Sequence, residues 1–371
     1  MNKLIDKKEF DQINQKITDR TNVFYWQTDR AVTPQQAGQI WADRHRYFTA
    51  DELIKKANEV LENNSVVSIE PLDPNAQTNL GNVNSVRIAH LASGQEVVIR
   101  SHPKGIKNDY FHAEALAASY AKDNGVPSYT TLAIHDFEGK DDFAFHITER
   151  LPGTAISKWL ETHPEDESRL LIAVGKVLAG IHQLRVKGFG PFDNEKAKTG
   201  KLIGLHGSYV GAIRAGLTFN LKVLQKEEIL TPAQAASIDK LLQADNYRLK
   251  CDNPVLIHND FADWNLLTDG KDVTGVLDWD ECVGGDYVSD IACWSTFFDP
   301  DRLEGMLKGY FANREKPADF EEKFQLLRLR YTISKMTLRV RRYIWEPSES
   351  IKKKIIIGKN HLTKSLEHFK T

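Results

Sequence analysis

The stretch that decides the fold of this chain reads His258-Asn259-Asp260-Phe261-Ala262-Asp263-Trp264-Asn265 and, eleven residues on, Val276-Leu277-Asp278-Trp279-Asp280. Two apolar, partly β-branched runs lie between these segments, and the turn that separates the runs contains Asp269-Gly270. An Asp-Gly pair between apolar runs is a strong hairpin signal. A hairpin centred near Lys271 and Asp272 would place Asn265 opposite Asp278.

The residue types on this hairpin match what phosphoryl transfer from a nucleotide requires. Such a reaction needs a carboxylate that accepts the proton of the acceptor hydroxyl, and an asparagine and an aspartate that hold Mg²⁺ on the nucleotide phosphates. Asp260 is therefore the candidate catalytic base, and Asn265 and Asp278 are the candidate metal ligands. Taken singly, each of these residues would more often be a turn former or a satisfied polar group, so the prediction depends on their joint spacing.

The composition is that of an ordinary globular protein. The 371 residues are 41% hydrophobic and 27% charged with a net charge of −2, which gives no reason to expect nucleic acid or an anionic membrane as a partner. The three cysteines, Cys251, Cys282 and Cys293, share no metal-ligand spacing, and the first residues lack the apolar core of a signal peptide. No uncharged apolar run approaches the ~20 residues of a membrane span. We therefore expect a cytoplasmic protein.

The pattern along the chain predicts an α+β protein in three parts. Residues 1–62 are predicted to form a helical N-terminal extension, with capping signals at Thr33-Pro34-Gln35-Gln36 and Thr49-Ala50-Asp51-Glu52. Residues 63–152 are predicted to form one helix, at about 110–124, and several short strands. The strands are expected at residues 66–69, 85–91, 96–100, 130–135 and 143–148. Residues 153–371 are mostly helical in pattern, with a further capping signal at Thr231-Pro232-Ala233-Gln234, and carry the hairpin.

With these residues in view, the chain resembles the aminoglycoside phosphotransferase family, a group of antibiotic kinases with a two-lobed, protein-kinase-like fold. The resemblance covers about residues 66–345 and implies a small β-rich N-lobe that binds nucleotide and a larger helical C-lobe with the catalytic loop and acceptor site. Gly188-Phe189-Gly190-Pro191-Phe192 is most similar to hygromycin B phosphotransferase and its relatives. The other marks of the family are the segment His258 to Asn265, Leu277-Asp278-Trp279-Asp280, Gly285-Asp286-Tyr287-Val288-Ser289-Asp290-Ile291-Ala292, Glu149-Arg150-Leu151-Pro152-Gly153 and Leu178-Ala179-Gly180-Ile181-His182.

The resemblance implies that ATP or GTP binds between the lobes together with Mg²⁺. Arg100 occupies the strand where kinases have a phosphate-contacting lysine, and Glu114 on the following helix is its expected partner. Because arginine is always charged and pairs bidentately, we expect the role to survive the change, the alternative being a surface arginine at the end of an edge strand. Glu149 and Leu151, in the hinge between the lobes, are expected to lie beside the base of the nucleotide.

Two positions depart from the family pattern. The turn expected to cover the phosphates, Leu80-Gly81-Asn82-Val83-Asn84-Ser85, has a single glycine, so an ordinary hairpin turn is an equal alternative. Asn259 stands where the family has glycine between the histidine and the aspartate, which predicts a stiffer loop.

Four further polar residues surround the proposed chemistry. His258 is expected to orient the loop rather than to act as a base, because no partner for a proton relay is visible. Asp290 is expected to support the loop through backbone hydrogen bonds, since a buried charge must be satisfied. Asp263 and Asp280 are expected to be solvated or capping residues rather than additional ligands.

Together these features predict a nucleotide- and magnesium-dependent phosphotransferase that moves a γ-phosphate to a hydroxyl group of a small molecule, of the aminoglycoside or aminocyclitol type. A protein kinase would need an activation segment of a few tens of residues, whereas Asp290 and a helix follow Asp278 within twelve residues. A metabolic kinase for a sugar or an amino alcohol is an alternative. A non-catalytic kinase-like binding protein is another, although such a protein would normally have lost one of the three key residues.

The end of the chain is rich in positive charge. Residues 321–371 carry thirteen Lys and Arg against five Glu. A charge run is usually a solvated helix face. If part of it faces the acceptor site, highly cationic aminoglycosides such as kanamycin are expected to be weak substrates, and a less charged hydroxylated compound should be preferred.

Overall fold

The computed structural model describes residues 48–61, 64–72, 84–105, 107–243, 246–345 and 347–369 of the chain. The predicted cap at Thr33 and most of the turn at residues 80–85 lie outside the described residues. Among the helices within these ranges, none is long and apolar enough to cross a membrane.

An antiparallel five-stranded sheet forms the N-terminal part of the described chain, in the order β1-β2-β3-β5-β4. Each predicted strand is confirmed, with ends that differ from the prediction by at most two residues. The central strand is β3, which places Arg100 opposite Val86 on one side and His146 on the other. The strands are β1 (Val66–Pro71), β2 (Ser85–Leu91), β3 (Glu96–Ser101), β4 (Thr131–His135) and β5 (Phe145–Glu149).

Two helices accompany the sheet, α1 (Ala50–Val60) and α2 (Phe111–Asp123). The predicted capping box at Thr49 is present, because its side chain accepts the N–H of Glu52 while the Glu52 carboxylate accepts the N–H of Thr49. Leu53 of α1 is fully buried in the core of the sheet. The helix therefore packs on the sheet, and the boundaries proposed at residues 62 and 152 stay predictions.

The rest of the described chain is mainly helical, as its apolar periodicity predicts. The predicted capping box at Thr231 is present at the start of the helix Pro232–Leu241. The longest helices are the last two, which pack against each other. The helices are α3 (Ile156–Thr162), α4 (Glu167–Ile181), α5 (Asn194–Ala197), α6 (Tyr209–Arg214), α7 (Leu217–Lys226), α8 (Pro232–Leu241), α9 (Val288–Trp294), α10 (Pro300–Tyr310), α11 (Phe320–Trp345) and α12 (Glu349–His368).

Two small sheets lie among these helices. One has the order β11-β10-β6 and contains the predicted hairpin, and the other has the order β8-β7-β12-β9. Their strands are β6 (Thr154–Ala155), β7 (Phe189–Phe192), β8 (Gly204–His206), β9 (Val255–Ile257), β10 (Leu266–Thr268), β11 (Val273–Val276) and β12 (Val283–Gly285).

The hairpin forms as predicted, but its register differs by one residue. Leu266 pairs with Val276, and the N–H of Leu277 donates to the main-chain oxygen of Asn265 at 2.8 Å. Asn265 is therefore opposite Leu277, and the prediction that it lies opposite Asp278 is wrong. The pairing also shifts by one residue between Leu267 and Thr268, so that Thr268 pairs with Val273. In the turn beyond it the Asp269 carboxylate accepts two successive main-chain N–H groups, at 2.8 and 3.0 Å.

Close helix packing fixes the interior behind the hairpin. A Cβ atom added at Gly175 of α4 would lie 2.0 Å from the main-chain oxygen of Met306 on α10, so only glycine lets the two helices approach this closely. The same pair of helices brings His182, just after α4, to Tyr310 at the end of α10, with 2.9 Å between Nδ1 and the hydroxyl oxygen.

Candidate active site

The carboxylate of Asp290 holds the start of the loop between β9 and β10. Its Oδ2 accepts the N–H of His258 at 2.8 Å, and its Oδ1 accepts the N–H of Asn259 at 2.7 Å. The Nε2 atom of His182 lies 3.0 Å from Oδ2 and supplies a third donor. Asp290 is fully buried, so these bonds compensate for the loss of water around its charge. The supporting role predicted for Asp290 is confirmed.

The ring of His258 connects this loop to the segment that follows β11. Its Nε2 lies 2.8 Å from the main-chain oxygen of Leu277, and its ring centroid lies 4.8 Å from that of Trp279. Both rings are buried. These contacts give His258 a structural role, in agreement with the prediction.

Asn259 adopts a left-handed backbone conformation, with φ of +68°. Glycine adopts this conformation without strain, and asparagine tolerates it better than most other residues, which explains why a family with glycine here can accept asparagine. The side chain adds a contact that glycine lacks, because the hydroxyl of Tyr331 donates to Oδ1 of Asn259 at 2.8 Å. Asn259 thus joins the loop to α11.

Asp260 and Asn265 face each other across the loop. The Nδ2 of Asn265 donates to the main-chain oxygen of Asp260 at 2.9 Å and to its carboxylate Oδ2 at 3.1 Å. The Asp260 side chain is 24% exposed, whereas Asn265 is buried. The amide nitrogen of Asn265 therefore orients the candidate base, and its amide oxygen remains as a potential ligand atom.

Asp278 lies two residues beyond β11, at a left-handed backbone position with φ of +63°. Its carboxylate is 40% exposed, and Oδ1 lies 2.7 Å from Nη2 of Arg100. The same Nη2 lies 3.4 Å from Oδ2 of Asp280. A strand of the N-terminal sheet and the end of the hairpin thus meet through one guanidinium.

The predicted ion pair between Arg100 and Glu114 is present, with Nη1 of Arg100 against Oε1 of Glu114. Glu114 is fully buried, and its Oε1 also accepts the hydroxyl of Tyr129 at 2.6 Å. Burial by itself lowers the pKa of Arg100, but the carboxylates of Glu114, Asp278 and Asp280 outweigh this effect and raise that pKa well above its usual value. Arg100 is therefore a partly buried, permanently charged group and not a surface arginine.

The hinge residues occupy the end of β5 and the segment after it. The carboxylate of Glu149 accepts the N–H of Thr130 at 2.7 Å and also pairs with Lys122, so it is already engaged by these two residues. Leu151 packs beside Gly275 of β11, where an added Cβ would lie 2.9 Å from Cδ1 of the leucine. Any contact between Glu149 and a base would use the main chain.

The extra carboxylates are neither solvated nor simple caps. Asp280 is buried and lies close to Arg100, and Asp263 is buried with Oδ2 2.9 Å from Nη1 of Arg302. Burial raises the pKa of Asp263, although Arg302 opposes the shift. The expectation that both residues are exposed or capping is wrong, because each approaches an arginine that is distant in sequence.

One residue beside Asp260 was predicted only as a member of the basic run at residues 321–371, part of which could face the acceptor site. Lys335, in the middle of α11, places its Nζ 3.7 Å from Oδ1 of Asp260. It belongs to a helix with many lysines and arginines, and nothing in the local pattern distinguishes it from its neighbours. Only the approach of α11 to the loop, made through Asn259 and Tyr331, reveals it.

The donor set at the end of the hairpin fits a hard divalent cation. The described residues contain no group of three histidine, cysteine or acidic side chains that could hold a metal ion by themselves. Magnesium in nucleotide-binding sites commonly uses only one or two protein oxygens, because phosphates and water supply the remainder. The Asn265 amide oxygen and the Asp278 carboxylate are ligands of that kind.

Comparison with known proteins gives one family match. The family model described as "Phosphotransferase enzyme family" matches residues 77–323. No curated protein matches the chain.

Solved structures give further similarity at the level of the fold. A thermostable mutant of aminoglycoside phosphotransferase APH(4)-Ia, in ternary complex with AMP-PNP and hygromycin B, is 18% identical, with a TM-score of 0.58 over 86% of this chain and 98% of that chain. A candidate fructosamine-3-kinase from Thermobifida fusca YX-ER1 is 15% identical, with a TM-score of 0.58 over 85% of this chain and 100% of that one. A choline/ethanolamine kinase family protein from Mesorhizobium loti is 17% identical, with a TM-score of 0.51 and coverage of 82% and 88%.

Proposed function

Because this chain belongs to the phosphotransferase enzyme family, whose members phosphorylate hydroxyl groups of small molecules, we propose that its donor is the γ-phosphate of ATP or GTP. The proposed reaction forms a phosphate ester on the acceptor oxygen, breaks the bond between the γ-phosphorus and the β,γ-bridging oxygen, and releases nucleoside diphosphate. Since phosphoryl transfer needs little covalent assistance, the protein acts mainly by positioning and by electrostatic stabilisation.

The observation that carries this proposal is the arrangement of Asp260 and Asn265. The carboxylate is partly exposed, so it can reach an acceptor hydroxyl, and the amide nitrogen of Asn265 holds it at 3.1 Å. We assign Asp260 as the base that orients the hydroxyl and takes its proton as the phosphate is transferred. His258 supports the loop without touching the acceptor.

Asn265 and Asp278 would hold Mg²⁺ through the amide oxygen and the carboxylate, and the ion would neutralise charge on the nucleotide phosphates. Arg100 is the proposed contact for the phosphates from the sheet side. Its pair with Glu114 fixes the guanidinium at the cleft, in the manner expected for the lysine–glutamate pair of kinases.

The base of the nucleotide is proposed to lie at the hinge, against Glu149 and Leu151. The Glu149 carboxylate is already bound by Thr130 and Lys122, so the main chain would read the base. Main-chain groups leave no side-chain signature that distinguishes adenine from guanine, and both ATP and GTP are proposed donors.

The acceptor is proposed to be a small hydroxylated molecule, either an aminocyclitol or aminoglycoside antibiotic or a metabolite such as a sugar or an amino alcohol. The resemblance in sequence supports the antibiotic class, whereas Lys335 beside Asp260 supports an acceptor without high positive charge. A non-catalytic binding role is the weaker alternative, because Asp260, Asn265 and Asp278 are all retained. All three cysteines are free thiols, which supports a reducing, cytoplasmic location.

A transfer assay with labelled ATP and GTP, in the presence of Mg²⁺, tests the proposal against hygromycin B, kanamycin, simple sugars and amino alcohols. Asp260→Asn should lower turnover by about 100-fold or more while nucleotide binding is retained. Asp269→Asn is the matched control, since Asp269 is exposed in the turn of the same hairpin and asparagine can keep its hydrogen bonds. Turnover of the Asp260 variant within a few-fold of wild type would remove the residue from this role.

A further inference from the structure

Lys335 brings a positive charge from α11 to the edge of the catalytic loop. Its Nζ lies 3.7 Å from Oδ1 of Asp260, and the ring centroid of Phe297 lies 4.9 Å from the same ammonium. At 3.7 Å the ammonium attracts the carboxylate but makes no good hydrogen bond to it. The side chain is 20% exposed, so its donors can reach a molecule bound next to Asp260.

Arg339 continues this positive charge one helical turn further along α11. Residues four apart share a helix face and are separated by about 6 Å along the axis. One N–H of Arg339, at Nη1, donates to the main-chain oxygen of Lys354 on α12 at 3.2 Å. Within the part of the chain that the structure describes, no carboxylate lies at ion-pair distance from Arg339 or Lys354.

The surroundings favour the positive charge of Lys335 but disfavour that of the basic residues beyond it. Burial by itself lowers the pKa of Lys335, but Cys293, Asp260 and Glu281 outweigh this effect and raise that pKa above its usual value. Burial lowers the pKa of Arg339. Burial, followed by repulsion from Arg339 and Arg342, lowers the pKa of Lys354. Burial and the nearby cations, Arg328 foremost, lower the pKa of His361 to about 4. An anion bound among these groups would relieve the repulsion.

Few negative groups oppose this charge. Asp260 and Glu281 are the carboxylates that act on Lys335, and Asp299 acts on His361. Asp263 lies near the loop but its charge is directed to Arg302, 2.9 Å away. A cationic acceptor at this place would therefore meet a surface of its own sign, whereas an anionic acceptor would meet its complement.

We propose that Lys335 and Arg339 bind an anionic group of the acceptor, a carboxylate or a phosphate ester, beside the hydroxyl that Asp260 deprotonates. This inference rests on the proposed function and specifies its substrate class as hydroxylated organic anions. The planar guanidinium of Arg339 suits both carboxylate and phosphate, because each can accept two parallel N–H bonds. Lys354 on α12 adds charge at the outer side of the same cluster.

Anion binding tests the site without requiring turnover. Calorimetry on the full chain, saturated with a non-hydrolysable ATP analogue and Mg²⁺ at fixed ionic strength, would measure the affinity for malonate and for inorganic phosphate. Wild type should bind at least one of them with a Kd below about 10 mM, and Arg339→Gln should weaken that binding roughly tenfold. Arg339→Lys should retain part of the affinity, and Lys354→Gln should lose part of it without altering α11. Lys359→Gln, an exposed charge elsewhere on α12, should match wild type.

The comparison of the two anions distinguishes a carboxylate site from a phosphate site. Absence of binding by wild type to either anion, or equal affinity in wild type and Arg339→Gln, would overturn the inference. Transfer is then measured separately with glucuronate, glucose and glucosamine, which share a sugar ring and differ in charge. Anion binding with no transfer to any acceptor, including the panel described above, would contradict the proposed function while leaving the anion site intact. Transfer that favours glucosamine over glucuronate would contradict the inference alone.

Discussion

Nη2 of Arg100 lies 2.7 Å from Oδ1 of Asp278, although 178 residues separate the two in sequence. The same guanidinium also contacts the buried carboxylate of Glu114. One side chain therefore links the central strand of the N-terminal sheet, the helix beside it and the end of the catalytic hairpin. Its charge compensates the buried carboxylate of Glu114 and, as we propose, also contacts the nucleotide phosphates.

Arg100→Ala should raise the KM for the nucleotide and also destabilise the protein. The buried Glu114 would lose its cation, and removal of one partner of a buried pair typically costs about 3–5 kcal/mol. Arg100→Lys should retain more activity than Arg100→Ala because it keeps the charge. Initial rates and urea unfolding of the three proteins would measure the two effects.

The paired variant Arg100→Met with Glu114→Gln separates stability from function. Because it removes both charges together, it should unfold at a higher urea concentration than Arg100→Ala while its nucleotide KM stays raised. If the double variant were as unstable as the single one, the proposed cost of an uncompensated Glu114 would be incorrect.

Asp278→Ala should weaken magnesium-dependent nucleotide binding more than Asn265→Ala does, because a carboxylate supplies charge as well as an oxygen atom. Calorimetry with a non-hydrolysable nucleotide would measure the affinity of each variant with Mg²⁺ and with EDTA. Asp278→Ala also removes a carboxylate that pairs with Arg100. The affinity measured with EDTA shows the effect of this loss on nucleotide binding without Mg²⁺. A magnesium effect of wild-type size in the Asp278 variant would remove this residue from the metal site.

Asn259→Ala should destabilise the protein more than Asn259→Gly. Both lose the hydrogen bond from Tyr331, but only alanine must hold a Cβ at φ of +68°, which costs about 1 kcal/mol. Tyr331→Phe removes the same hydrogen bond, together with the hydroxyl's hydrogen bond with Ser289, and leaves the backbone unchanged, so it sets an upper bound on the side-chain contribution. Equal unfolding free energies for the alanine and glycine variants would show that the left-handed conformation carries no cost here.

His206 should make the stability depend on pH in the mildly acidic range. Burial lowers its pKa to about 4, so the folded protein binds this proton less readily than the unfolded chain, where histidine has a pKa near ~6.5. The stability that this neutral histidine contributes is fully present above pH ~6.5 and is lost as the pH falls toward 4. By pH 5 the loss is about 2 kcal/mol. Urea unfolding at pH 7 and 5 should show a smaller loss of stability for His206→Phe than for wild type. Since other buried histidines titrate in both proteins, the difference between the two isolates His206, and identical losses would contradict the assignment.

Local signals in the sequence were sufficient for much of the architecture. The capping boxes at Thr49 and Thr231 depend on residues three positions apart, and the hairpin depends on Asp269-Gly270 between apolar runs. The support of the loop by Asp290 could also be predicted, because a carboxylate that opens the apolar run Ile291-Ala292-Cys293-Trp294 must find donors nearby. The register error arose because the pairing shifts by one residue between Leu267 and Thr268, an irregularity that the apolar pattern does not reveal.

Contacts between distant elements could not be predicted in this way. Helical periodicity indicates which residues share a face, but it does not indicate which loop that face approaches. Lys335 and Arg339 therefore looked like members of a solvated charge run, and Asp263 and Asp280 looked like ordinary turn residues. Their partners, Asp260, Lys354, Arg302 and Arg100, become visible only once the helices are packed.

The guanidinium at residue 100 also determines which chemical reagents can detect this enzyme. Acylating nucleotide analogues that react with an amine beside the phosphates depend on a lysine that can lose its proton. An arginine with a pKa well above its usual value offers no such nucleophile at neutral pH. If Arg100 contacts the phosphates as proposed, surveys of kinases based on lysine acylation would miss this enzyme at that residue, and Arg100→Lys would supply the missing amine.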